Sequence, residues 1–113
     1  MTRYLVSFDD GSMDHVRDGE WAAVAEASHA VVREARAAGV WVFGGGLRRQ
    51  RPTVVGVDGS AVDGAEPGTK ALVGGLAVLD VDTREEALQW AARIAAGCRC
   101  AQEVREVMDD PEV

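Results

Sequence analysis

The stretch VDGAEPGTKALVGGLAVLDV, from Val62 to Val81, decides how the rest of the chain is read. It opens on an Asp63-Gly64 turn and crosses a polar loop holding the only lysine, Lys70. It then passes Gly74-Gly75 into the most apolar strand candidate of the chain, Leu76 to Val81. A tight turn followed by paired glycines brings backbone and polar side chains close to the mouth of a sheet.

Upstream, Arg3 to Phe8 reads as a first strand, with Tyr4, Val6 and Phe8 on one face and Leu5 on the other. A polar, turn-rich connection from Asp9 to Gly19 follows, and nothing in it would orient His15. Glu20 to Ala38 carries Trp21, Val24, Ala25, Ser28, Val31, Val32 and Ala35 at helical spacing, and Gly39 is placed to stop that helix. At about 100° per residue, His29 falls on the flank of the stripe. There it faces either a cleft or half into solvent.

Val40 to Phe43 begins a second strand, apolar on both faces, which the spacing ends at Gly44-Gly45-Gly46. Thr53 to Val57 and Ser60 to Asp63 form a hairpin around Asp58-Gly59. Downstream, Thr83 to Glu86 is a capping box that opens a second helix, with Ala87, Leu88, Ala91, Ile94 and Ala95 as its buried stripe. Trp90 belongs at a seam of that helix, and Gly97 is the expected stop. Gln102 to Met108 is the last strand, and residues 109–113 form an acidic, frayed tail.

Leaving out the hairpin, this order is that of a ferredoxin-like α+β sandwich in a single domain spanning residues 1–113. A chain of 113 residues, 47% hydrophobic and 27% charged, is long enough for one core without staples. Two helices cover one side of a sheet. Because the strands place apolar groups on both sides, the other side calls for a partner, and a second copy about a two-fold axis is the simplest. The expectation is a homodimer whose sheets close into a barrel.

The formal charge of −7 argues against nucleic acid or an anionic membrane surface as partner. The one basic cluster, Arg48, Arg49 and Arg51 beside Pro52, reads as a solvated loop in preference to an anion site. No apolar run reaches the length of a membrane span, and MTRYLVSFDDG lacks the layout of a signal peptide. Cys98-x-Cys100 is too close for an ordinary mutual disulfide, so a reducing cytoplasm is the expected setting. The two cysteines, His15 and His29 lack the spacing of a zinc site, and no phosphate-binding glycine motif follows a strand. Neither metal nor cofactor is expected.

The residues resemble the YCII-related family, whose larger branch carries a DGPFAETKE-like motif. The resemblance rests on His29 within HAVVREARAAG, on GGGL from Gly44 to Leu47, on Asp63-Gly64, Thr69-Lys70 and Gly74-Gly75, and on EEALQWAAR from Glu85 to Arg93 with Glu103-Val104-Arg105 after it. DGAEPGTKA, from Asp63 to Ala71, keeps Asp-Gly and Thr-Lys at the family spacing but lacks the Pro-Phe and the following Glu. The resemblance implies a dimeric α+β barrel and, carried over by position, a catalytic pair of His29 and Asp63. A carboxylate on one imidazole nitrogen fixes the tautomer and leaves the other nitrogen to exchange protons near neutral pH. Such a pair suits a hydrolase, or a lyase or isomerase, acting on a small anionic or aromatic molecule. Trp41, Phe43 and Trp90 would supply the apolar lining. Lys70 and its neighbour Thr69 either bind the anionic end or simply solubilise the loop. The other reading open at this point is a binding or interaction module that keeps the fold without the activity.

Overall fold

The computed structural model describes residues 1–68 and 72–113. Strand β1 (Thr2–Asp9) leads through a short 3-10 turn into helix α1 (Trp21–Ala37). Then come β2 (Trp41–Gly46), the short strands β3 (Thr53–Val55) and β4 (Ala61–Asp63), β5 (Val73–Val81), helix α2 (Arg84–Cys98) and β6 (Glu103–Glu106). Four strands make one sheet in the order β2-β5-β1-β6, every pairing antiparallel. That is the ferredoxin-like order, with β3 and β4 inserted as a separate hairpin. No helix among the described residues is long and apolar enough to cross a membrane.

Side-chain alternation in the central strands sets which face the helices cover. Tyr4 lies opposite Leu79 and Val6 opposite Ala77, and all four are buried. Val24 and Ala35 of α1 are buried, as are Ala87 and Ala91 of α2. The alanines let backbone approach backbone, which a larger residue would prevent. On the opposite face, register places Leu5 and Phe43 beside Val78, and Leu76 beside Ser7, with no helix over them. Phe43 is 64% exposed there, so it belongs to the open face.

Several boundaries move for identifiable reasons. The three glycines do not end β2; they form its second half, paired with Ala77, Leu76 and Gly75. A bulge at Val42 separates Trp41 from Phe43 and lets the Trp41 ring fold back along its own strand. A Cβ on Gly44 would lie 2.7 Å from that ring, so only glycine fits beneath it. The third strand stops at Val55 instead of Val57, because the chain turns early. Gly56 N–H donates to Ser60 O at 2.8 Å, and Gly59 takes φ +83°. Inside that turn the Ser60 hydroxyl, then its backbone N–H, donates to Asp58 and lowers its pKa. Strand β5 starts at Val73, ahead of Leu76, while β6 is shorter than Gln102 to Met108.

Gly39 stops α1 as expected, with φ +74°. Gly97 does not stop α2. The helix runs on to Cys98, and Arg99 takes the left-handed cap at φ 56°. Gly97 is instead the point where the two helices touch: a Cβ there would come within 3.2 Å of Ala27 O and Ser28 Cα. At the start of α2, Thr83 Oγ1 accepts from Glu86 N–H at 3.2 Å. The Glu86 carboxylate reaches Asp82 N–H at 3.0 Å, one residue before the expected partner. A further tie joins the helices end to end, Arg99 to Glu20 at 2.6 Å. The Glu20 carboxyl is held below its ordinary range by the Arg17 backbone N–H and by Arg99.

Replacing Gly97 by valine must force the helices apart. Gly97→Val is expected to lose about 1–3 kcal/mol in urea unfolding. Gly45→Ala, where a Cβ meets nothing within 4 Å, serves as the near-neutral control.

Candidate functional site

Because β2 carries no side chain at Gly44 or Gly46, helix α1 has nothing to rest on along that edge. The result is an open cleft of 710 Å³ between α1 and the β2–β5 end of the sheet. The helix wall is one flank of α1: Trp21, Ala25, His29, Val32 and Arg36 follow each other at three- and four-residue steps. The facing wall is Trp41 with the backbone of Gly44, Gly45 and Gly46. Phe8 and Met13 close one end, while Ile94, Cys98 and Gln102 approach from α2 and the residues after it. A Cβ on Gly75 would fall 2.5 Å from the Phe8 ring, so that glycine holds open the place where Phe8 lies.

The polar groups of the cleft are few. Ser28 Oγ donates to Val24 O at 2.8 Å, which commits its proton to the helix. The Cys98 thiol, 3.6 Å away, then donates to the Ser28 oxygen. Both cysteines are free, and Cys100 is raised in pKa by burial and by its neighbour Cys98, against a lowering contact from Gln102. The remaining ionisable groups on the cleft are His29, Arg33 and Arg36, all basic. Arg33 is paired outward with Glu26 at 2.7 Å. No carboxylate lines the cleft among the described residues. Those residues also contain no cluster of three or more His, Cys, Asp or Glu placed to hold a metal ion.

The anticipated site residues are therefore divided. His29 and Trp41 line the cleft. Asp63 sits at the end of β4 with 76% of its side chain exposed, 3.7 Å from Arg51, and is not part of the lining. Thr69 and Lys70 lie outside the described residues. Phe43 is on the open sheet face, as described above. Trp90 is packed at the margin of the core, and the Arg93 guanidinium lies over its ring at 4.7 Å, also away from the cleft. Among the cleft residues the sequence reading did not single out as site residues are Trp21, Arg36, Cys98 and the glycine floor. The first two share His29's helical flank at steps of three and four, and that spacing is the signal that finds them.

The chain is an α+β domain with a ferredoxin-like sheet, and two tryptophans and a helix histidine line its cleft. The particular family follows from the sequence profile of the YCII-related domain, which matches residues 13–110. The chain belongs to the YCII-related family. Among solved structures, it is similar to the 5-chloro-2-hydroxyhydroquinone dehydrochlorinase of Burkholderia phenoliruptrix AC1100, in complex with 2,5-dihydroxybenzoquinone. The TM-score is 0.55 at 15% identity, covering 97% of each chain, a likeness of fold. No curated protein sequence matches.

The fit of the Trp41 ring over Gly44 gives a direct check on this wall. Gly44→Ala is expected to displace the indole, shift tryptophan emission to longer wavelength and cost about 1–3 kcal/mol. Gly46→Ala, whose Cβ meets nothing within 4 Å, should leave both unchanged.

Proposed function

We propose that this protein is a small-molecule enzyme working in the cleft between α1 and the glycine half of β2. His29 is the proton-transfer group and Asp63 the carboxylate that orients it. The observation that carries the reading is the position of His29. It is a histidine amid Trp21, Trp41, Val32 and a bare glycine floor, where a flat, small ligand can lie against the ring. The reaction class it favours is a lyase step. His29 takes a proton from the bound molecule, and the bonding electrons left behind expel a leaving group with its own electron pair. Fold likeness to a dehydrochlorinase supports a small, hydroxylated, aromatic or quinoid substrate. Hydrolase and isomerase chemistry use the same acid–base group. The reading assigns Thr69 and Lys70 to the anionic end of the ligand and requires no cofactor.

The same reading makes the protein a homodimer in the manner of an α+β barrel. Leu5, Phe43, Leu76 and Val78 form an apolar strip on the uncovered sheet face, and a second sheet would remove it from water. Two free thiols suit a reducing compartment, and the reading assigns the protein to the cytoplasm. A second reading, a binding module without catalysis, is favoured by one observation: His29 is exposed and makes no hydrogen bond among the described residues.

Turnover separates the two. With 5-chloro-2-hydroxyhydroquinone as the first substrate assayed, His29→Ala is expected to reduce turnover by about 10²–10⁴-fold while 2,5-dihydroxybenzoquinone still binds. Gly46→Leu, which fills the floor, should abolish binding and turnover together. Turnover untouched by His29→Ala would refute the assignment of the histidine. Binding without turnover in the unaltered protein would favour the binding module.

A further inference from the structure

The β3–β4 hairpin is the least supported part of the fold. Its strands pair only with each other, and every one of their residues is exposed. An isolated two-stranded hairpin is marginal in water. This one nevertheless displays Val54 opposite Val62, Val55 opposite Ala61, and at its tip Val57 with relative exposure 112%. It also makes the molecule broad and thin. The chain measures 45 × 42 × 18 Å with a radius of gyration of 15.5 Å. A compact chain of this length would have about 13 Å.

Charge gives the arm a destination. From Arg51 to Glu66 it carries one arginine against Asp58, Asp63 and Glu66, a net of −2. The cleft, in a protein of net charge −7, shows only basic ionisable groups besides its cysteine: His29, Arg33 and Arg36. An acidic arm with apolar faces and a basic cleft with apolar walls are complementary. The arm does not line the cleft of its own chain.

We propose that the β3–β4 arm reaches over the cleft of a second copy of this chain, so that Asp63 of one subunit completes the site of His29 in the other. The inference rests on the reading of His29 as the acid–base group and supplies its missing carboxylate. Asp63's tie to Arg51, at 3.7 Å and with both partners exposed, is weak enough to be exchanged for the imidazole. Arg51 also contacts Glu66 and keeps a carboxylate partner after the exchange. A two-fold axis makes the arrangement reciprocal: each copy lends an arm and receives one, and both sites close.

Cross-linking tests this without a substrate. In a Cys98→Ser, Cys100→Ser background, His29→Cys and Asp63→Cys chains carrying different tags are co-expressed and treated with a short bis-maleimide. The expected product is a covalent heterodimer, absent when either chain is expressed alone. A chain carrying both cysteines that is bridged internally, with monomer mass plus linker, would overturn the proposal. So would the absence of any heterodimer in preparations whose circular dichroism matches the parent. As a second measurement, Val54→Asp with Val62→Asp should weaken self-association by tenfold or more in sedimentation equilibrium; unchanged association would count against the arm. Cross-linking alongside full turnover in His29→Ala would keep the arm and discard the acid–base role. The reverse pair of results would keep the role and discard the arm.

Discussion

The structure depends on a mismatch between two short helices and the sheet they cover. Helix α1 presses Val24 and Ala35 onto the core, and α2 does the same with Ala87 and Ala91. Against the glycine half of β2, α1 meets only the Trp41 ring and backbone, because Gly44 and Gly46 carry no side chain. Burial of apolar surface holds the helices elsewhere, at roughly 25 cal/mol per Å² removed from water. Along the glycine edge the same force has no surface to bury. The cleft is therefore built into the sequence as an omission of side chains, with the Trp41 ring folded over Gly44 as its wall.

Most of the architecture was legible because it follows from periodicity. The alternation in Arg3 to Phe8 and the stripe from Trp21 to Ala35 located β1 and α1, and Thr83 marked the start of α2 where the hydroxyl does cap it. What misled was glycine. Gly44 to Gly46 and Gly97 read as terminators by propensity, yet all lie inside their elements, and at Gly44 and Gly97 a neighbour occupies the space of the missing Cβ. Tertiary packing decided those positions, and no local pattern carries that information. Phe43 was placed by a different device. A one-residue bulge at Val42 sent it to the open face, and a bulge leaves no clear mark in a run such as VWVF.

The site was half legible. His29's place on the flank of α1 followed from counting residues around the helix, and Trp41 follows from the strand beside it. Asp63, named as the carboxylate partner of His29 through the family resemblance, lies outside the lining in a single chain, on the hairpin that pairs with nothing else in the fold. Membership of the YCII-related family and the likeness of fold to a solved dehydrochlorinase agree with the ferredoxin-like α+β arrangement. On the proposed reading, the arm and the apolar sheet face are completed by a second chain, and catalysis and assembly are one problem because the carboxylate that orients the histidine travels with the interface.

The central claim is that the glycine-floored cleft around His29 is where a ligand sits. The chain has only two histidines, His15 and His29, so their imidazole resonances give a direct reading. On titration with 2,5-dihydroxybenzoquinone, the account predicts a saturable shift of the His29 ring signals, an unmoved His15, and loss of the response in Gly46→Leu. A His29 resonance that stays in place while the quinone binds elsewhere would contradict it.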